Sequence, residues 1–203
     1  MNKLQRKRAY RSYKPVVYIL PEGETTEESY FRALSRFMPF KNLPFSISCK
    51  SARHGSIASL LKLAKSVEKD CHPRDQIWIL VDRDEEDKFR EQFARLEQWQ
   101  NQKPNLRHVA LSVPRFEYWL LLHFEDKPSG RDAENDKSLV RYFPNYLKRK
   151  SVENSTAITE SRVLDAIARA NSRFIPTCSN LDGVGTGVGL LVGMLMGKRN
   201  FPL

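Results

Sequence analysis

Apolar residues along this chain fall into alternating runs and helical stripes. Residues 15–20, Pro-Val-Val-Tyr-Ile-Leu, predict a short first strand. Thr25 and Glu28 then stand at capping-box spacing. They open a helix whose apolar face is Tyr30, Phe31, Leu34 and Phe37. Phe45 to Cys49 alternates, as a half-buried strand does. Ser56 is placed to cap a second helix with Ile57, Leu60, Leu61, Ala64 and Val67 on its core side. From Gln76 to Val81 the run is apolar almost without alternation, which predicts a strand buried on both faces. Phe89, Phe93 and Leu96 mark a third helix, residues 107–113 a fourth strand, and residues 116–124 a short buried helix.

This β-α-β-α-β-α-β-α order predicts an α/β domain over residues 15–125, with a mainly parallel sheet flanked by helices. Residues 1–14 read as a basic arm. Residues 126–203 read as a mostly helical C-terminal region packed on the sheet domain. From that boundary, 125–136 is polar and loop-like, and 137–150 is basic and partly aromatic. A helix follows over 159–171, with Val163, Ile167 and Ala170 inward. Thr186 caps a last helix bearing Val188, Leu191, Val192 and Leu195.

Candidate chemistry lies at the C-terminal edge of the predicted sheet, where open α/β folds place ligands. Asp82 and Asp84 end the central strand, and Glu85, Glu86 and Asp87 follow. Carboxylates about 4 Å apart repel by roughly 4 kcal/mol at an effective dielectric near 20, and a divalent cation relieves that repulsion. The alternative is that Asp84 to Asp87 solvate and cap the next helix. Glu22 follows the first strand beside Gly23. If the first and third strands are neighbours, about 4.8 Å apart, Glu22, Asp82 and Asp84 reach one rim. With no His or Cys beside them, these oxygen ligands select Mg²⁺ or Mn²⁺ over zinc.

Composition sharpens this picture. The 203 residues carry 34 basic and 24 acidic side chains, a net charge of +10. A positive body around an acidic pocket suits a polyanion such as nucleic acid, held while a metal centre acts on it. Arg53 and Lys62, near the end of the second strand, are candidate phosphate contacts, although a solvated face explains them equally. Cys49, Cys71 and Cys178 are scattered without ligand spacing, so neither a disulfide framework nor a zinc site is indicated. No apolar signal core opens the chain, and residues 183–197 are too short and interrupted to span a bilayer, so a cytoplasmic location is expected. The glycines at 183, 185, 187 and 189 follow no predicted strand, and no GxxxxGK[ST] occurs. Trp78, Trp99 and Trp119 sit on predicted core faces.

Several blocks match a known pattern. Glu22-Gly23-Glu24-Thr25-Thr26-Glu27-Glu28-Ser29-Tyr30-Phe31 resembles the E-G-x-x-T-E-x-x-Y-F opening of the RloB family. Asp82-Arg83-Asp84 is similar to its D-x-D, and residues 112–124 resemble its S-N-P-x-F-E-x-W-L-L-L-H-F block. The segment from Thr186 to Leu195 is similar to the closing T-x-V-x-x-L-V helix. This family includes abortive-infection proteins of the AbiLii type and is regarded as Toprim-like. The resemblance implies Mg²⁺-dependent cleavage of phosphodiester bonds in DNA or RNA (including transfer RNA) in anti-phage defence. Its implied partner is an ABC- or SMC-type ATPase encoded nearby. Glu22 would be the general acid/base or a metal ligand, and Asp82 and Asp84 metal ligands. Val113 and Arg115 depart from the pattern, which has Asn before Pro and a small residue or Cys after it.

Glu27, Glu117 and His123 are secondary candidates. Glu27 either completes the rim or favours a helix N-terminus. Glu117 either joins the rim, pairs with Arg115 or caps its helix. His123 in an apolar helix reads more simply as a core histidine with one satisfied hydrogen bond. The alternative to a nuclease is a non-enzymatic module that binds nucleic acid or the ATPase; a metal-dependent phosphotransferase or phosphatase acting on a small molecule is a weaker third reading. Homo-oligomerisation is left open.

Overall fold

The computed structural model describes residues 13–36, 43–52, 55–83, 88–153, 155–177 and 179–197. Phe37, Arg53, Asp84 and Cys178, all named above, lie outside them. A five-stranded sheet forms the centre, in the order β2-β1-β3-β4-β5. Its strands are β1 (Val16–Pro21), β2 (Ser46–Cys49), β3 (Gln76–Asp82), β4 (Arg107–Val113) and β5 (Gly185–Thr186). The first four run parallel; β5 is antiparallel to β4, with Ser112 opposite Thr186. This is the expected α/β class, consistent with a Toprim-like fold.

Successive side chains of a strand point to opposite faces, and here both faces are covered by helices. Val17, Ile19, Trp78, Leu80 and Ala110 pack on one side against α1 (Thr26–Leu34), α4 (Phe116–Leu121), α7 (Glu160–Asn171) and α8 (Val188–Leu195). Leu20, Ile77, Ile79, Val81 and Leu111 pack on the other against α2 (Ile57–Glu68) and α3 (Phe89–Gln102). The lack of alternation in β3 follows directly: residues 76–81 are all buried.

Ser56 caps α2, its hydroxyl accepting the Ser59 N–H at 3.3 Å. Thr159 caps α7 in the same way. The capping box expected at α1 does not form. Thr25 has helical backbone angles and makes no side-chain cap bond, while Glu28 turns to Arg32 at 2.5 Å.

The polar stretch expected to be loop differs too. It gives way at Asp132 to α5 (Asp132–Tyr142), followed by the short α6 (Tyr146–Arg149). Tertiary contacts explain this: Leu139 and Asn135 are buried, and Arg115 pairs with Asp132 at 2.8 Å and Asp136 at 3.7 Å. Thr186 lies in β5 rather than at the cap, which is Gly187. Its hydroxyl nevertheless accepts the Val188 N–H at 3.2 Å and meets Ser112 Oγ at 2.9 Å. A two-residue strand carries too little periodicity to announce itself in sequence. Among the described residues, no helix is long and apolar enough to cross a membrane, and Cys49 and Cys71 are free thiols.

Candidate active site

The register of the sheet brings two acids to one rim. Pro21 of β1 lies opposite Leu80 of β3, and Glu22 extends the ladder by donating its N–H to the Leu80 carbonyl at 3.1 Å. Its side chain turns back across the strand pair: Glu22 Oε2 accepts the Asp82 N–H at 3.0 Å. The backbone of one acid therefore orients the carboxylate of the other.

Two further carboxylates close on this pair. Glu27, in the first turn of α1, is buried and accepts the Gly23 N–H at 3.2 Å. A Cβ at Gly23 would come within 2.5 Å of Glu27 Oε2, so glycine permits this close approach. Glu117, at the start of α4 after β4, is also buried. Asp82 keeps some solvent access, yet protein crowds its carboxylate. Burial and then the charges of Glu27, Glu117 and Glu22 push its pKa well above the ordinary carboxylate range, against the Phe116 N–H. Burial also raises Glu27, with the Glu117 charge adding to it, while its own N–H and that of Gly23 act in the opposite sense.

Residues that pattern reading missed hold Glu117 in place. The Tyr146 hydroxyl donates to Glu117 Oε1 at 2.6 Å, and Thr26 Oγ1 lies 3.3 Å from the Tyr146 hydroxyl. Thr26 donates to the Lys150 carbonyl at 2.9 Å. The Lys150 ammonium stands 3.8 Å from Glu117 and 3.3 Å from Asp136. The pairing of Glu117 with Arg115 considered from sequence does not occur, because Asp132 and Asp136 take Arg115. A signal for Tyr146 was present: Leu139, Phe143 and Tyr146 recur at helical spacing in the basic-aromatic stretch, and all three are buried.

His123 is a core residue with two hydrogen bonds rather than one. Its Nδ1 lies 3.1 Å from the Trp119 carbonyl, which can only accept, so Nδ1 carries the proton. Nε2 then accepts from the Tyr30 hydroxyl at 3.1 Å. Burial holds the His123 pKa down to about 4. Lys62 is exposed on α2.

All the acids at the rim offer hard oxygen donors, which suits Mg²⁺ or Mn²⁺. Crowded carboxylates with raised pKa values are what a dication would relieve. Among the described residues, no three His, Cys, Asp or Glu side chains are arranged to hold one ion together. Glu22 and Glu27 are instead turned to backbone N–H groups.

A family model described as RloB-like protein matches residues 17–195, and the chain belongs to that family. No curated protein and no solved structure matches it.

Proposed function

We propose that this chain is a metal-dependent nuclease of Toprim type, an effector of anti-phage defence working with a partner ATPase. The observation that carries the reading is the hydrogen bond from Asp82 N–H to Glu22 Oε2 across adjacent parallel strands, with Glu27 and Glu117 beside it. Acids far apart in sequence meet at the edge where such sheets bind ligands.

Asp82 and Asp84 would hold a Mg²⁺ or Mn²⁺ ion, with Glu22 as a further ligand or as the base. The bound ion would supply an activated water and stabilise the leaving oxygen of a phosphodiester. Within the chain, Asp82 N–H fixes the orientation of Glu22, so that its carboxylate is already aimed when it takes a proton from the attacking water. Tyr146 and Lys150 hold Glu117 against the same rim.

The test is cleavage of labelled DNA and RNA with Mg²⁺ or Mn²⁺, with and without the ATPase. Wild type should cut, while Glu22→Gln and Asp82→Asn should lose at least about 100-fold in rate. Equal cleavage by all three proteins would overturn the assignment. Salt-sensitive binding without cleavage under every condition would instead favour the non-enzymatic binding module.

A further inference from the structure

We infer that the groove between α2 and α3 is a track for the phosphodiester backbone of a nucleic acid, leading to the Glu22 rim. The inference rests on the proposed phosphodiester chemistry for the direction of the track, but its test needs no cleavage.

The groove has a volume of about 550 Å³. Its lining joins the apolar Ile57, Ala58 and Leu61 to Lys62, Lys65 and Lys69, all on or capping α2, with Gln92 and Arg95 from α3. On an α-helix, positions i, i+3 and i+7 lie on one face, here separated along the axis by about 4.5 and 6 Å. All three lysines are exposed, and none forms an ion pair among the described residues. The contrast with their neighbours is informative. Lys103 and Arg107 are neutralised by Glu68, and Arg95 on the facing helix by Glu91. Three ammonium groups without an ion pair among the described residues therefore line the groove.

One end of the groove abuts the candidate site. Ile57 is the first residue of α2, and a Cβ on nearby Gly55 would stand 2.9 Å from the Glu22 carbonyl oxygen and 3.5 Å from Glu22 Cγ. A chain lying along the lysines thus runs from the Lys69 end towards Glu22. Phosphates repeat about every 3.4 Å along the axis of each strand, so flexible lysine stems can reach successive or alternate phosphates. The apolar part of the lining suits sugar faces. An acidic protein segment would also satisfy the charge, but would gain nothing from the continuity with Glu22.

The experiment measures fluorescence anisotropy of fluorescein-labelled single-stranded DNA, single-stranded RNA and duplex DNA, about 20 nucleotides long, in EDTA across a salt titration. Lys62→Glu/Lys65→Glu/Lys69→Glu should bind at least about tenfold more weakly than wild type near 0.1 M salt, and its log–log salt slope should fall by about 2. Lys127→Glu/Lys137→Glu/Lys148→Glu makes the same change in net charge on exposed sites elsewhere and should lose much less. Equal weakening by both triple variants would overturn the track, as would competition by poly-L-glutamate as effective as that by unlabelled oligonucleotide. Circular dichroism checks folding, and Lys→Gln at the same three positions gives a milder variant that should weaken binding in the same direction. Loss of binding in the first variant, with no cleavage by wild type, would sustain the track and sink the nuclease. Cleavage by wild type with unaltered binding in that variant would do the reverse.

Discussion

The hydroxyl of Tyr146 donates a 2.6 Å hydrogen bond to Glu117, joining the C-terminal region to the rim of the sheet. The two residues are both buried and lie in α6 and α4. Their contact gives that region a direct hold on a site otherwise assembled from strand ends and the first turns of α1 and α4.

Tyr146→Phe keeps the ring and removes this donor. A hydrogen bond to a charged acceptor contributes roughly 1.5–3 kcal/mol, so the variant should be about 2 kcal/mol less stable in urea unfolding. If the proposed nuclease reading holds, it should also cut more slowly under conditions where it remains folded. Unchanged stability would show that Glu117 finds another donor.

Acid should weaken the fold before it protonates ordinary carboxylates. Burial holds both His123 and His108 down to about 4, whereas an unfolded histidine takes its proton near 6.5. Between those values each of these histidines binds more proton in the unfolded chain than in the folded one, so its contribution to stability is complete above about pH 6.5 and is lost as pH drops towards 4. The loss amounts to at most roughly 3 kcal/mol per histidine. Urea midpoints at pH 7.5 and pH 5 should differ in wild type, and less in His108→Gln. The raised carboxyls of Asp82 and Glu27 act in the opposite sense, so the comparison of the two proteins carries the test: an equal pH dependence in wild type and His108→Gln would contradict a buried neutral His108.

Gly185 has no space for a side chain. A Cβ there would lie 2.0 Å from the Phe174 carbonyl oxygen, a backbone atom with little freedom to move. Gly185→Ala should cost about 3 kcal/mol and loosen β5 from β4, read as a fall in melting temperature and faster amide exchange at Gly187, whose N–H donates to the Leu111 carbonyl of β4. A wild-type melting temperature would mean that the β5 connection yields readily.

Divalent cations should act through the acid rim. Added Mg²⁺ or Mn²⁺ should raise the melting temperature of wild type, since any ligand that binds only the folded state stabilises it. Asp82→Asn should lose most of that increment. An equal shift in both proteins would place the cation elsewhere.

The local pattern of this sequence determined the elements and much of the sheet. The unbroken apolar run in β3 could be satisfied only by burial on both faces, the stripes of α2, α3 and α7 each had one face to bury, and α8, apolar all round, is buried on nearly every side. Glu22 and Asp82 were legible because each directly follows an apolar strand, and parallel strands deliver such residues to one edge. What only the tertiary structure decided was which groups from distant segments meet. The helix of Glu27, the turn of Glu117 and the reach of Tyr146 and Lys150 depend on how whole elements pack, and no local periodicity records that. The same holds for β5, whose two residues become a strand because Ser112 and Val113 offer a pairing edge, and for Arg115, which Asp132 and Asp136 draw away from Glu117. Short-range preference acts within a few residues; these contacts join residues well beyond that reach, Glu117 with Tyr146 and Arg115 with Asp132 among them, and are selected by the free energy of the assembled core and its charges.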